Sequence, residues 1–359
     1  MAEDGLCDYA FFVSLYDDVI NNLAQPRLRG HDLRTFLRAA NRYTTTTLGL
    51  AYAFKKMTQA SEDLRQTHPN PLEEFWRMRV YHVGILDTPA NAFGLQMQAA
   101  ISMLKTFHDF SSAHGHRSIT ALAAPTPERD WATFLADQGR SLGYYPDLFV
   151  VHGHYVFSDN DADHCAVMPP TRYSSVDLPS VFYEEYKFDL ASGPVTLREL
   201  QFKNASSRGL VSVTMKGRWT SPSAGEAFEF YSHCDTNRGL LSFGSYTEVC
   251  NHPSYAPQIR YKPDHYAVLT HHSSRPHAFA YDNEVGLGAK LCKVKSKVHD
   301  VSFGVAAYDV DFEDYVNECS SLNKFGPHSR LKALRKIVDY YKTLATDKFD
   351  EVSCTRVVG

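Results

Sequence analysis

The chain has 359 residues, of which 43% are hydrophobic and 22% are charged, and its formal net charge is −4 at pH 7. This length can bury a large core, in one α/β domain or in two smaller ones, and the composition is ordinary for a globular protein. The small negative charge gives no support for nucleic acid as a partner, and no run approaches the roughly 18 apolar residues that a membrane span needs.

Apolar segments rich in β-branched and aromatic residues predict seven buried strands, at residues 7–15, 46–54, 80–90, 118–124, 147–156, 210–215 and 302–310. Amphipathic segments between the strands predict helices. Their residues are 32–43, a segment ending near 65, 98–110, 130–142, 195–202, 289–297 and 329–343. Asp32 is the expected N-cap of the first helix.

The alternation of strands and helices predicts a parallel sheet with right-handed crossovers. Seven strands in this length indicate an α/β fold, a TIM (β/α)8 barrel that has lost or hidden one strand. No GxGxxG or P-loop pattern follows a strand, which argues against a nucleotide-binding open sheet, and no cofactor is expected. The rhythm breaks twice, in an irregular stretch at 158–194 and in a stretch of polar turns and aromatics at 219–300.

The third predicted strand, Val80–Ala90, carries the first candidate for chemistry. Apolar residues on both parities suit a strand that is buried on both faces, and Pro89 closes the strand because proline cannot continue a central ladder. The run ends in Asp87. In a barrel whose active site lies at the strand ends, Asp87 occupies the position of a catalytic acid.

The last predicted strand resembles the final strand of glycoside hydrolase family 18, the chitinases and chitinase-like proteins. Gly304–Tyr315, with Cys319 shortly after, is similar to the family's G-x-x-x-W-S-x-D-x-D-D-F segment and the cysteine behind it. Leu241–Cys250 and Ala280–Lys290 look like two segments of the small α+β insertion that precedes this strand in the family. The order and spacing of the matches agree with the family over about residues 210–345.

Gly217 and Arg218 match the end of the family's seventh strand. The resemblance therefore implies three parts. These are the first part of the barrel at 1–219, an α+β insertion domain at 220–300, and the last barrel strand with its C-terminal helix at 301–359.

Seven cysteines are present, none in a CxxC pair, so a zinc knuckle is not expected. By themselves they fit scattered buried thiols or an extracellular protein with bridges. The resemblance implies a Cys250–Cys319 disulfide and an extracellular location, with a signal peptide that this sequence does not contain. It also implies that the segment from Cys7 is the family's second strand, and Asn204 heads the one glycosylation sequon.

The family's catalytic signature is D-x-x-D-x-D-x-E followed by x-P, and its last Glu protonates the glycosidic oxygen. Anchored on Pro89, the positions predicted to face the barrel interior are Val83, Ile85 and Asp87. Two acids are thus replaced by apolar residues, and the remaining one is a methylene shorter. A displacement of about 1 Å can cost a hundredfold in rate, so we expect no catalysis of the family type.

The resemblance also implies ligand-binding positions. The tryptophan beneath the central sugar becomes Tyr308, which can still stack on a pyranose ring. His152, His154 and Tyr155 stand at the M, Y and D of the M-x-Y-D segment that ends the sixth strand in the family. A His-x-His pair can bind a metal, with His164 near in sequence, but a polar pocket lining is the preferred interpretation and no metal is expected.

Two further ligand-binding candidates are Arg218 and Tyr281. The first hypothesis is a secreted, inactive chitinase-like protein that binds a chitooligosaccharide-like carbohydrate or a protein partner at the barrel's C-terminal face. The second is an active glycosidase that uses Asp87 as its acid. The third is a structural or immune-interaction protein with a closed groove. In each case we expect a monomer with neither nucleic acid nor membrane as partner.

Overall fold

The structure is a computed structural model that describes residues 1–25, 29–66, 70–89, 91–124, 129–156, 162–236, 242–343 and 349–359. Ala90 and Leu241, which end or begin two of the segments discussed above, lie outside these ranges. Two compact units are present. The first contains Met1, Glu3–Val151 and Thr196–Leu210, and the second contains Ala2, His152–Val195 and Val211–Gly359.

A seven-stranded sheet runs in the order β1-β2-β3-β4-β5-β6-β12. Its strands are β1 Tyr9–Leu15, β2 Thr47–Tyr52, β3 Val80–Ile85, β4 Thr120–Ala124, β5 Leu148–Val151, β6 Arg208–Thr214 and β12 Gly304–Tyr308. The ladders from β1 to β5 are all parallel. The curled sheet with its helices forms a TIM-like barrel, and its seven strands are the seven that the sequence predicts.

Eleven α-helices are assigned among the described residues. They are α1 His31–Ala40, α2 Met57–Gln66, α3 Glu73–Arg77, α4 Leu95–Ala113, α5 Arg129–Leu142, α6 Tyr183–Tyr186, α7 Gly193–Phe202, α8 Thr247–Cys250, α9 Glu284–Lys297, α10 Ser329–Thr343 and α11 Glu351–Arg356. None of the described helices is long and apolar enough to cross a membrane.

A second, antiparallel sheet has the strand order β8-β7-β11-β10-β9. Its strands are β7 Gly217–Thr220, β8 Phe243–Gly244, β9 Arg260–Lys262, β10 Ala267–His271 and β11 Ala278–Tyr281. Apolar side chains from β10 and β11 alternate between two clusters, one containing Val268 and Phe279 and the other containing Leu269 and Ala280. This sheet is the extra α+β element that the family resemblance implies.

Some boundaries differ from the predictions. Helix α1 has Gly30 at its N-cap position, so Asp32 lies inside the first turn and does not cap the helix. Strand β5 ends at Val151 rather than 156. Helix α9 begins at Glu284, before the predicted 289, because the Asn283 side chain caps it by accepting the N–H of Gly286.

The stretch predicted to be irregular, 158–194, is compact where it is described. Met168, Phe182, Tyr186 and Phe188 belong to a buried cluster in it, together with Tyr155. The sequence lacks a periodic signal there because short turns bring these side chains together.

Two faces of the parallel sheet are distinguished by the contacts of β1 and β2. The ring of Phe12 lies 5.7 Å from that of Phe36 in α1, and the ring of Tyr52 lies 4.7 Å from that of Phe107 in α4. The helix-covered face of β2 therefore carries Leu48, Leu50 and Tyr52, since alternate residues of a strand share a face. The opposite, inner face of these two strands includes Phe11 on β1 and Gly49 and Ala51 on β2.

All seven cysteines are described, and six of them form three disulfides. The implied Cys250–Cys319 bridge is confirmed. The other two are Cys165–Cys234 and Cys292–Cys354, which the sequence left open.

Candidate functional site

Asp87 lies two residues beyond the end of β3, where the sequence places a catalytic acid. Its carboxylate accepts the backbone N–H of Phe54, with Oδ1 at 2.9 Å and Oδ2 at 3.2 Å. Phe54 begins the 3-10 turn that leads into α2, and Ala53 at the cap position has no side-chain acceptor. The first N–H groups of a helix lack partners in their own helix, so Asp87 serves as a cap supplied from a neighbouring strand.

The Asp87 residue as a whole is exposed, but its carboxylate is partly shielded from water. This loss of water raises the pKa of the carboxylate, and the hydrogen bond from the Phe54 N–H opposes that shift. The pKa of Asp87 is thus raised, the direction expected of a proton donor. Its hydrogen bonds to Phe54 stabilise the backbone of the first unit.

The face of β3 differs from the prediction. Val83 pairs with Leu50, and His82 pairs with Gly49. Paired residues in register project to the same side, so Val83 and Ile85 face the helices, and the prediction that they line the interior is wrong. On β3 the inner face therefore carries His82 and every second residue from it, beginning with Gly84.

Close contacts support this assignment. A Cβ atom at Gly49 would lie 2.5 Å from the Phe11 ring and 2.8 Å from the His82 Cβ, so only glycine fits between these two side chains. A Cβ at Gly84 would lie 3.3 Å from Leu86 Cγ, which places Leu86 on the same side as Gly84. The inner positions at the end of β3 are therefore His82, Gly84 and Leu86, and none of these three carries a carboxylate.

His82 is 7% exposed, its Nδ1 accepts the N–H of Ile119 at 3.1 Å, and its ring meets that of Tyr9 edge-on. Burial lowers the pKa of His82 to about 4. The imidazole is therefore neutral at physiological pH, and it is a buried hydrogen-bond acceptor for the Ile119 N–H on the inner face.

The second unit brings together five of the six predicted ligand-binding residues, in two contacting groups. In the first group His152 Nε2 lies 3.3 Å from the Tyr308 hydroxyl, and the His154 ring lies 4.8 Å from the Tyr308 ring. The Ser212 hydroxyl accepts the N–H of Gly153 and is hydrogen bonded to His154 Nδ1 at 2.7 Å. Burial, with the charges of nearby cations, lowers the pKa of His154.

The second group is a layer of cations and aromatic rings. The Arg218 guanidinium lies 4.3 Å from the centre of the Tyr155 ring and 5.3 Å from that of Phe243. Lys216 Nζ lies 4.0 Å from the Phe243 ring and 3.3 Å from Asp309 Oδ1. Cation–π contacts of this kind gain strength as water is excluded.

Exposure separates these residues. His152, His154 and Arg218 are each 1% exposed and Tyr155 is 6% exposed, whereas Tyr308 is partly exposed. A ligand in this region can thus reach the Tyr308 ring, and the two buried histidines, His152 and His154, pack against that ring. Among the described residues no group of three or more His, Cys, Asp or Glu side chains is arranged to hold a metal ion.

Tyr281, the sixth predicted residue, lies on β11 of the antiparallel sheet and stacks on Tyr246 at 5.4 Å. It therefore belongs to a different place from the other five within the second unit. Asn204 is exposed, in a left-handed turn after α7, where a glycan has room.

The inner-face residues His82, Gly84 and Leu86 were missed from the sequence. One signal was present. Small residues alternate with large ones in the neighbouring strands, with Gly49 and Ala51 in β2. Small residues on one parity mark the crowded inner face of a barrel, but transferring that parity to β3 requires the strand register, which the sequence does not contain.

No protein-family model matches the chain, and no curated protein sequence matches it. Solved structures match its fold over nearly the whole chain. An immunomodulatory active chitinase from Trichuris suis has a TM-score of 0.66 at 12% identity, covering 94% of this chain and 93% of that one. A glycoside hydrolase family 18 N-acetylglucosaminidase from Paenibacillus barengoltzii has a TM-score of 0.59 at 12% identity, with 94% of each chain covered.

A chitinase-like agglutinin from Robinia pseudoacacia has a TM-score of 0.60 at 11% identity, covering 92% of this chain and 94% of that one. At these identities the likeness shows the fold alone. The chain therefore has the chitinase-type fold, a TIM-like barrel with an additional antiparallel sheet. Proteins of this fold include both hydrolases and a lectin, so the activity has to be argued from the residues.

Proposed function

We propose that this protein is a secreted, chitinase-like carbohydrate-binding protein without glycosidase activity. The observation that carries the proposal is the inner end of β3, which presents His82, Gly84 and Leu86. Glycoside hydrolysis needs a proton donor at the glycosidic oxygen, and in most families a second carboxylate or a substrate group that attacks the anomeric carbon. A buried imidazole with a pKa of about 4, a glycine and a leucine supply no such donor at neutral pH.

Binding is assigned to the Tyr308 ring. Tyrosine offers an apolar face and a hydroxyl, a combination that suits the stacking of a pyranose ring. The hydrogen bond between His152 Nε2 and the Tyr308 hydroxyl fixes the ring without covering it completely. Nearby Lys216, which is partly exposed, supplies a cation that favours acetamido carbonyls and hydroxyl oxygens as ligand acceptors.

A protein partner is the second candidate. The burial of His152, His154, Tyr155 and Arg218 favours it, because a filled site leaves little depth for an oligosaccharide. In this alternative the four residues are a polar core and the outer surface makes the contact. A secreted location is supported by the three disulfides, which form and persist in oxidising compartments.

The experiment combines hydrolysis and binding. Fluorogenic chitooligosaccharides report turnover, and calorimetry with tetra-N-acetylchitotetraose reports binding. We expect no turnover, saturable heat, and loss of that heat in Tyr308→Ala but not in the matched Tyr315→Ala, since Tyr315 is exposed elsewhere on the same unit. Turnover that disappears in Asp87→Ala contradicts the proposal, and absence of heat at millimolar ligand favours the protein-partner alternative.

A further inference from the structure

The second unit contains a pocket of about 210 Å³ beside the antiparallel sheet. It is bordered by β10 and β11, by the start of α9 and by the segment that precedes α10. The lining residues on which the argument depends are Tyr246, Tyr281, Ile259, Leu322, Glu284 and Arg330. A water molecule occupies roughly 30 Å³ in the liquid, so the pocket has room for a small organic molecule.

The wall of the pocket contains stacked aromatic rings. Tyr246 and Tyr281 are 3% exposed and lie nearly parallel, with ring centres 5.4 Å apart. The Arg330 guanidinium covers the Tyr246 ring at 4.5 Å. Ile259 and Leu322 add apolar surface to the lining.

The guanidinium in the pocket wall already has a carboxylate partner. Arg330 is 1% exposed and is paired with Glu313, whose Oε2 accepts from Nε at 2.7 Å and lies 2.6 Å from Nη2. Its Nη1 and Nη2 also donate to the carbonyls of Asp282 and Phe312. One carboxylate therefore already neutralises this guanidinium.

Glu284 is a second carboxylate at the same place. It is 5% exposed, and its Oε1 is buried without a hydrogen-bond partner. Leaving a buried acceptor without a donor is costly, and more so for a charged group. Arg330 is already paired with Glu313, so Glu284 is a carboxylate in the pocket wall whose Oε1 has no donor, next to electron-rich aromatic rings.

We propose that this pocket binds a small organic cation that carries N–H donors, a primary ammonium or a guanidinium on a short apolar chain. The N–H groups of the cation donate to the Glu284 carboxylate, its positive charge pairs with that carboxylate, and its apolar part lies against Ile259 and Leu322. The site is separate from the Tyr308 region, and its occupancy does not depend on whether a carbohydrate binds there.

The test uses two probes of the same shape. n-Butylguanidinium is cationic, and n-butylurea has the same number of non-hydrogen atoms without the charge. In ligand-observed NMR titrations at low ionic strength we expect n-butylguanidinium to saturate one site and to bind at least tenfold more tightly than n-butylurea. Equal affinity of the two probes overturns the proposal.

Glu284→Gln removes the charge with almost no change of shape, and we expect at least a tenfold loss of n-butylguanidinium affinity. Glu226→Gln is the matched control, because it removes the same charge from an exposed position and should change the affinity less than twofold. Leu322→Trp fills the pocket from its rim and should abolish binding, which keeps the proposal testable if Glu284→Gln does not fold. Unchanged binding in Leu322→Trp overturns the assignment of the site.

Discussion

The Asp87 carboxylate accepts the backbone N–H of Phe54 with both oxygens, at 2.9 and 3.2 Å. This contact ties the end of β3 to the start of the helical segment that continues into α2. An acid that resembles a catalytic remnant in the sequence is thus a helix cap in the structure.

The cap predicts a specific stability pattern for substitutions at Asp87. Asp87→Ala should destabilise the protein by about 1 kcal/mol, the usual cost of losing a capping side chain. Asp87→Asn keeps an acceptor oxygen and should lose less than half of that. Urea unfolding followed by circular dichroism measures both, and equal stability of Asp87→Ala and the wild type contradicts the capping role.

His82 predicts a pH dependence. Its pKa is about 4 in the folded protein against 6.5 for an ordinary histidine, so the folded state disfavours the charged form. The stability contribution is therefore complete above pH 6.5 and is lost as the pH falls towards 4, by about 3 kcal/mol in total. His82→Gln, which can still accept from Ile119, should unfold with a shallower loss of stability between these pH values. Identical slopes for the variant and the wild type contradict this assignment.

A buried ion pair joins Lys290 to Asp282 at 2.5 Å, with both side chains 0% exposed. Lys290 also donates to the carbonyl of Thr171 at 2.7 Å. Lys290→Met leaves a carboxylate buried without its cation and should cost about 3–5 kcal/mol. The double variant Lys290→Met/Asp282→Leu should be more stable than Lys290→Met alone, because no uncompensated charge remains. A double variant that loses the sum of both single effects shows that the pair is not coupled.

The disulfides predict a defined mapping. Peptide mass spectrometry without reduction should find Cys165–Cys234, Cys250–Cys319 and Cys292–Cys354. Cys165→Ala with Cys234→Ala opens a loop with a sequence separation of 69 residues. Chain entropy then predicts a loss of about 4 kcal/mol. A different pairing contradicts this mapping, and six reduced thiols in protein isolated from its natural source contradict the proposal of an extracellular protein.

Particular elements show what the sequence could and could not specify. Strand and helix segments were predictable because their periodicity is local, and α10 begins and ends at the predicted residues. The face of β3 was not predictable, because Val80–Ile85 is apolar on both parities and Pro89 alone cannot set the phase. The inner positions follow only from the pairing of His82 with Gly49, a relationship between strands.

The sequence predicted one part of the candidate site and missed another. His152, His154 and Tyr308 come together because β5 and β12 end there, and the resemblance to the family's last strands was enough to select them. Glu284 and the pocket beside Tyr281 gave no signal, since a carboxylate at the start of a helix is an ordinary feature of a sequence.

Saturation-transfer NMR of tetra-N-acetylchitotetraose with the wild-type protein and with Tyr308→Ala measures binding and cleavage in one sample. We expect transfer signals from the sugar with the wild type, their loss with Tyr308→Ala, and anomeric signals that stay unchanged over a day. Anomeric signals of shorter oligosaccharides that grow with time contradict the absence of glycosidase activity, and equal transfer signals with both proteins contradict the role of Tyr308.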